Sequence, residues 1–223
     1  MVNDKSTVRD AWQRLKNWCK QYLPELLNSL NPGTTACELD EFEAVIGQQL
    51  PIDVRESYLI HNGQKDEDDL YVTGLLFGIL ILPLSEALKE WQKWRELDSI
   101  NDEVKEEFAF SAPDGAVRPD YTHPGWIPLT FDGGGNHIGI DLAPDRNGVV
   151  GQVIIFGCDE HTKYVVADSW ADFLNHVAFE LEAGNFCIDQ EGEDKILNIK
   201  DPPSQHYHDA IAAIYRKNNH ILP

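Results

Sequence analysis

The 223-residue chain carries 18 basic and 38 acidic residues, a formal charge of −20, with 42% hydrophobic residues and six tryptophans. Such a chain can bury one sizeable core, and its field repels nucleic acid and anionic membrane while drawing basic partners in. No apolar run reaches the ~18 residues of a bilayer span, the first residues lack an apolar signal core, and four scattered cysteines form no C-x-x-C pair, so a cytoplasmic protein with reduced, buried thiols is expected.

Val8, Trp12, Leu15, Trp18, Tyr22, Leu26 and Leu30 recur at spacings of three and four. They predict an amphipathic helix, restarted near Pro24 and ended by Asn31-Pro32-Gly33. A second helix is expected over 36–46, with Leu39, Phe42, Val45 and Ile46 inward and Gly47 closing it. Pro51 suits the first turn of a third, which packs Val54, Tyr58 and Leu59 and stops at His61-Asn62-Gly63. Residues 71–82 are rich in Val, Ile, Leu and Phe and read as one or two strands, with Gly74 and Gly78 marking a turn or bulge.

From Leu84 a helix presents Leu88, Trp91 and Trp94 as one stripe, and Ile100, Val104 and Phe108 as another on the opposite side. One straight helix buries neither stripe well, so a break at Asp98-Ser99 is expected, with Ser99 as a new N-cap. Residues 111–125 hold Pro113, Gly115, Pro119, Pro124 and Gly125 and read as loop.

The segment WIPLTFDGGGNHIGID, residues 126–141, alternates Ile127, Leu129 and Phe131 with less apolar neighbours, then repeats the period-two pattern at Ile138, Ile140 and Leu142. Between them Asp132-Gly133-Gly134-Gly135-Asn136 tolerates positive φ and suits a reversal. The prediction is a hairpin with one buried face, and Trp126 plugging the end of the sheet. Strands follow at 153–156 and 164–167, then a helix capped at Ser169 with Trp170, Phe173, Val177 and Leu181 inward. The last 39 residues offer a short strand at 196–199, a break at Asp201-Pro202-Pro203 and a helix over 210–215. The expectation is an α+β fold, a twisted antiparallel sheet flanked by helices. It forms a single domain over 1–184, with 185–223 as a docked C-terminal extension.

Chemistry is hard to assemble from these residues. The glycine run leads into a strand, whereas a phosphate cradle needs a helix N-terminus. His206 and His208 with Asp209 are a weak metal signal and read better as exposed polar residues of the tail. Cys158 has Asp159 and Glu160 beside it, and a reactive thiolate needs a positive setting. The tryptophan stripe reads as core. No catalytic set, cofactor site or metal site is expected.

Acid is clustered at 38–43, 65–69, 101–107 and 189–194. Asp66, Glu67, Asp68 and Asp69 form one run; Asp132, Asn136, Asp145, Asp159 and Glu160 sit in the turns between strands. These nine are the candidate protein-binding residues, offered to a basic partner.

Three segments in register, LNPGTTACELDEFEAVIGQQLPIDVRESYLIHNGQ (30–64), LLFGILILPLSEALKEWQKW (75–94) and WIPLTFDGGGNHIGIDLAPDRNGVVGQVIIFGCDE (126–160), resemble the SUKH superfamily. So does the closing helix SWADFLNHVAFELEAG, and the resemblance covers about residues 8–184. It implies an α+β domain that acts by binding. Its shared motifs, Leu50-Pro51, His61-Asn62-Gly63, Trp126-Ile127-Pro128 and 132–136, are mainly structural. Bacterial members neutralise toxins, nucleases among them; fungal members regulate cell-wall synthesis and stress signalling. The charge and the lack of long flanks favour a compact bacterial-type immunity protein with a basic, nuclease-type toxin as partner. A regulatory scaffold in cell-wall synthesis or stress signalling is the alternative.

Overall fold

A computed structural model describes residues 7–65, 73–100, 104, 110–192, 194–204 and 206–218. Helix α1 (Val8–Tyr22) opens on a reciprocal capping box between Thr7 and Asp10, and α2 (Pro24–Ser29) restarts it with Pro24 in its first turn. Helix α3 (Ala36–Ile46) has a second capping box, Thr35 with Glu38, and ends on Gly47 at φ 71°. Helix α4 (Ile52–Ile60) follows Pro51. Leu39, Phe42, Ile46, Val54 and Tyr58 are buried as the periodicity requires, but Val45 is 52% and Leu59 46% exposed. Val45 precedes buried Ile46 and Leu59 follows buried Tyr58, each on a helix whose inward face is one narrow stripe, so they fall just beyond it.

Residues 74–79 do not make the expected strands. Gly78 N–H donates to Gly74 O, and Phe77 (φ 50°) with Gly78 (φ 91°) turns the chain sharply. That turn drives the Phe77 ring into the core before a two-residue strand, β1 (Leu80–Ile81). Tyr71 and Val72 lie outside the described residues. Helix α5 (Leu84–Glu96) leads into a single 3-10 turn at Asp98–Ile100, which contains Ser99; of the second stripe beyond it, Phe108 lies outside the described residues. Trp94 is buried and Trp91 half-buried, its Nε1 donating to Pro124 O, so the tryptophan stripe is core.

The main sheet has five strands in the order β2 (Phe110–Ala112), β7 (Thr162–Ala167), β6 (Gln152–Gly157), β5 (Asn136–Asp141), β3 (Trp126–Pro128). It is antiparallel except at one edge, where β2 runs parallel to β7; strand β4 (Thr130–Phe131) pairs with β1. The α+β architecture holds. The expectation of one buried face does not: every residue of β5 and β6 is buried. Ile138, Ile140, Val153, Ile155 and Val166 face the helices. Ile154, Phe156 and Val165 face the other way and are covered by Ala116 and Val117 from the 113–125 loop, together with Trp126. Trp126 therefore lies on the loop-covered face and does not plug the end of the sheet.

Helix α6 (Trp170–Glu182) is capped by Ser169, whose Oγ accepts from Asp172 N at 3.1 Å. Then comes a hairpin, β8 (Phe186–Glu191) with β9 (Asp194–Ile199), and helix α7 (Tyr207–Asn218). Strand β8 has no counterpart among the elements expected for the last 39 residues. Leu197, Ile199, Tyr207, Ala210 and Ile211 belong to the same apolar cluster as the sheet and α6. Among the cysteines only Cys19 is buried; Cys37 is exposed and Cys158 and Cys187 are half-buried, which corrects the expectation of buried thiols.

One core contact has a pH signature. His137 is fully buried; its Nε2 lies 3.0 Å from Trp94 Nε1, which can only donate, and its Nδ1 lies 2.7 Å from Thr130 O. The ring is therefore neutral with its proton on Nδ1. Burial holds its pKa below the ordinary 6.5, so as pH falls the unfolded chain takes the proton first and this contribution drains away below about pH 6.5. Half-buried Glu160, pushed up to about 7, and buried Asp141, pushed up to about 6, act in the opposite sense and stabilise more as pH falls. The diagnostic is thus a difference. The stability advantage of wild type over His137→Gln, measured by urea unfolding, should shrink from pH 8 to pH 5 with a slope of up to roughly 1.4 kcal/mol per pH unit. An advantage independent of pH would contradict the neutral, buried ring.

Candidate functional site

The reversal 132–135 is built by Asp132. Its Oδ1 accepts from Gly134 N (2.7 Å) and Asn136 N (2.9 Å), and its Oδ2 accepts from Asn136 Nδ2 (2.8 Å). Gly133 and Gly135 stand at φ 85° and 97°, which only glycine adopts without strain. Burial pushes Asp132 up, but these hydrogen bonds, Asn136 first, outweigh it and hold the carboxyl below its usual value.

Asn136 couples this turn to the next. Its Oδ1 accepts from Asp159 N at 3.0 Å, and its Nδ2 also reaches Asp159 Oδ2 at 3.4 Å. The approach is possible because residue 157 is glycine: a Cβ there would lie 2.2 Å from Asn136 Oδ1. Cys158 Sγ donates to Gly134 O at 3.1 Å, and its thiol is pushed up by burial and by Asp159, so it is not an activated nucleophile.

Against these two turns lies the start of α7, and the three enclose a polar cleft of about 400 Å³. Asp132, Asn136, Asp159 and Glu160 reach it from the turns; His206, His208, Asp209 and Arg216 reach it from the tail, and Tyr164 from β7. Glu160 is pushed up to about 7, by burial first and then by the charge of Asp209. His208 is 5% exposed and pushed down to about 4 by burial, so its ring is neutral; Nδ1 lies 3.6 Å from Glu160 Oε1. Its Nε2 is buried and has no hydrogen-bond partner among the described residues. Among the described residues no group of three or more His, Cys, Asp or Glu stands where it could hold a metal ion.

Of the nine residues expected to bind a partner, four therefore converge. Asp145 does not: it lies in the turn after β5, at the far end of a strand about 17 Å long, where its backbone N–H donates to Ala116 O. Asp66, Glu67, Asp68 and Asp69 lie outside the described residues. His206 and Asp209 are exposed as expected, but His208 is not a tail residue in solvent, because α7 packs Tyr207, Ala210 and Ile211 into the core and carries His208 under with them. The one sequence signal for this contribution was the His206–His208–Asp209 cluster.

A model of the SMI1/KNR4 family (SUKH-1) matches residues 33–176. The chain is similar to the cell wall biosynthesis/cell cycle regulator smi1 of Schizosaccharomyces pombe, 40% identical over 90% of this chain and 41% of the relative. It is similar also to the glucan synthesis regulatory protein of Neurospora crassa (35% identical, 86% of this chain, 42% of the relative). The cell wall assembly regulator SMI1 of Saccharomyces cerevisiae is 32% identical over 82% of this chain and 42% of the relative. The chain thus spans less than half the length of each. These relatives are fungal, and they support the regulatory alternative better than the bacterial-type expectation.

Proposed function

The chain belongs to the SMI1/KNR4 (SUKH-1) family, and from that premise we propose that it is a non-enzymatic, protein-binding regulator of cell-wall synthesis. The observation that carries this is the similarity, over four-fifths or more of the chain, to three proteins named as regulators of the cell wall or of glucan synthesis. It favours the regulatory reading over toxin immunity, which the resemblance, the charge and the lack of long flanks had put first. The cleft supports action by binding. It has carboxylates, a neutral imidazole and an aromatic wall, while the one thiol beside it is held protonated. We place the contact there, with Asp132 and Asn136 shaping it and Asp159 and Glu160 presenting charge. We further take residues 185–223 as an extension whose α7 completes the cleft, and place the protein in the cytoplasm. No helix among the described residues is long and apolar enough to cross a membrane.

The test is replacement of a relative. Expressed in Schizosaccharomyces pombe cells lacking smi1, the chain should restore resistance to wall-digesting enzyme at least in part. No restoration at matched expression, combined with protection of cells against a toxin encoded beside the gene, would reverse the order of the two readings.

A further inference from the structure

We propose that the cleft receives an arginine side chain of a protein partner, its guanidinium held by Glu160, Asp159 and Asp209 and donating to Nε2 of His208. This rests on the reading of the cleft as a protein-binding surface and names what enters it.

The first observation is the orphan nitrogen. A buried polar atom with no partner among the described residues is costly, so a native fold that keeps one on a residue lining a cleft invites a ligand to satisfy it. With Glu160 ionised, the carboxylate opposite Nδ1 holds the ring proton there. Nε2 is then an acceptor, and the missing partner is a donor.

Charge supplies the second argument. Asp132 is committed to its turn, but Asp159, Glu160 and Asp209 bring carboxylates to the same space. Burial first, and then the charge of Asp209, raise Glu160 to about 7 against the opposing charge of Lys163, so the carboxylates of the cleft repel one another. A cation relieves that repulsion. A bare metal ion does not fit, since among the described residues no three of these side chains stand close enough to share one ion, and the space, about 400 Å³, is far larger than an ion needs.

Shape and surroundings select guanidinium over ammonium. Several acceptors on two loops and a helix suit a planar fork with five N–H donors better than a point charge. The buried Tyr164 ring, set edge-on to Tyr215 at 5.3 Å, adds an aromatic wall of the kind on which guanidinium stacks. The chain's own Arg216 stands exposed at the rim, one helical face along from Asp209 and Ala212, and makes no ion pair within the described residues. It adds a like charge that a partner's arginine must approach.

The experiment titrates the full chain at pH 8 with acetyl-Gly-Arg-Gly-amide, following amide resonances by NMR, with acetyl-Gly-Lys-Gly-amide and spermidine in parallel. Expected is saturable binding of the arginine peptide, with shifts confined to 132–136, 158–164 and 206–216. Affinity should fall tenfold or more in Glu160→Gln/Asp209→Asn and rise in Arg216→Ala. The opposite signs separate charge recognition from loss of fold, which the melting midpoint of each variant also reports. Absence of saturation, or equal affinity in the carboxylate variant, overturns the site. Equal binding of the lysine peptide overturns the guanidinium assignment, and tighter binding of spermidine overturns a side-chain ligand. Failure here with replacement of the fungal relative intact removes the arginine site and leaves the regulatory function standing.

Discussion

Trp170→Ala is expected to destabilise the protein by about 3–5 kcal/mol, the range for truncating a fully buried tryptophan. Trp170 is 2% exposed and packs on Phe173. Its Nε1 donates to Ser57 Oγ at 3.1 Å, and Trp12 Nε1 donates to the same oxygen at 2.9 Å. One hydroxyl on α4 thus fastens α1 and α6 together, and each indole fills the space beside it. Alanine empties that volume and leaves Ser57 with one donor. Against a total stability of about 5–15 kcal/mol the loss is large. For a chain of this size it corresponds to a fall in melting temperature of roughly 6–20 °C. Urea unfolding with an unchanged slope measures it; a change below about 1 kcal/mol would mean that the three helices are not packed around this node.

The second large effect is expected at Gly139. A Cβ there would stand 2.2 Å from Ile127 O and 3.0 Å from Phe156 Cε1. The first is backbone of the paired strand β3, which moves only by opening the Pro128–Gly139 pairing. The second belongs to a buried ring in the apolar layer on the other face. Gly139→Ala should therefore cost about 3 kcal/mol, the upper end for overpacking, because neither neighbour is the free end of a flexible chain. Gly133→Ala is the contrast: it meets nothing within 4 Å, and its cost comes only from φ 85°, about 1–2 kcal/mol. If the two variants matched, or Gly139→Ala were neutral, the hairpin register would be wrong.

What the sequence revealed follows the range of the forces involved. Helices α1 to α4 were legible because caps, Pro24, Gly47 and the spacing of Trp12, Leu15 and Leu39 act within a few residues. The hairpin was legible for the same reason, since Asp132 organises its own turn through atoms two and four residues on. The second buried face of the sheet was not, because Ala116 and Val117 lie in a proline-rich loop with no periodicity. Strand β2 was missed because its three residues acquire extended form only from β7 beside them. Strand β8 was hidden by Asp189, Gln190 and Glu191, whose acid composition resembles loop until Phe186 and Ile188 are set against β9. Half the cleft was legible for its turns and half was not. His208 is separated from Glu160 by 48 residues of chain, and only the packing of α7 brings them to 3.6 Å.

We propose this cleft, at the end of the hairpin, as the surface through which a regulator of cell-wall synthesis works. The most direct measurement compares wild type with Glu160→Gln/Asp209→Asn as replacements for smi1 in Schizosaccharomyces pombe, at equal expression and with melting midpoints in hand. Wild type should restore wall resistance, and the carboxylate variant, folded and as abundant, should not. Full restoration by that variant would contradict the proposal.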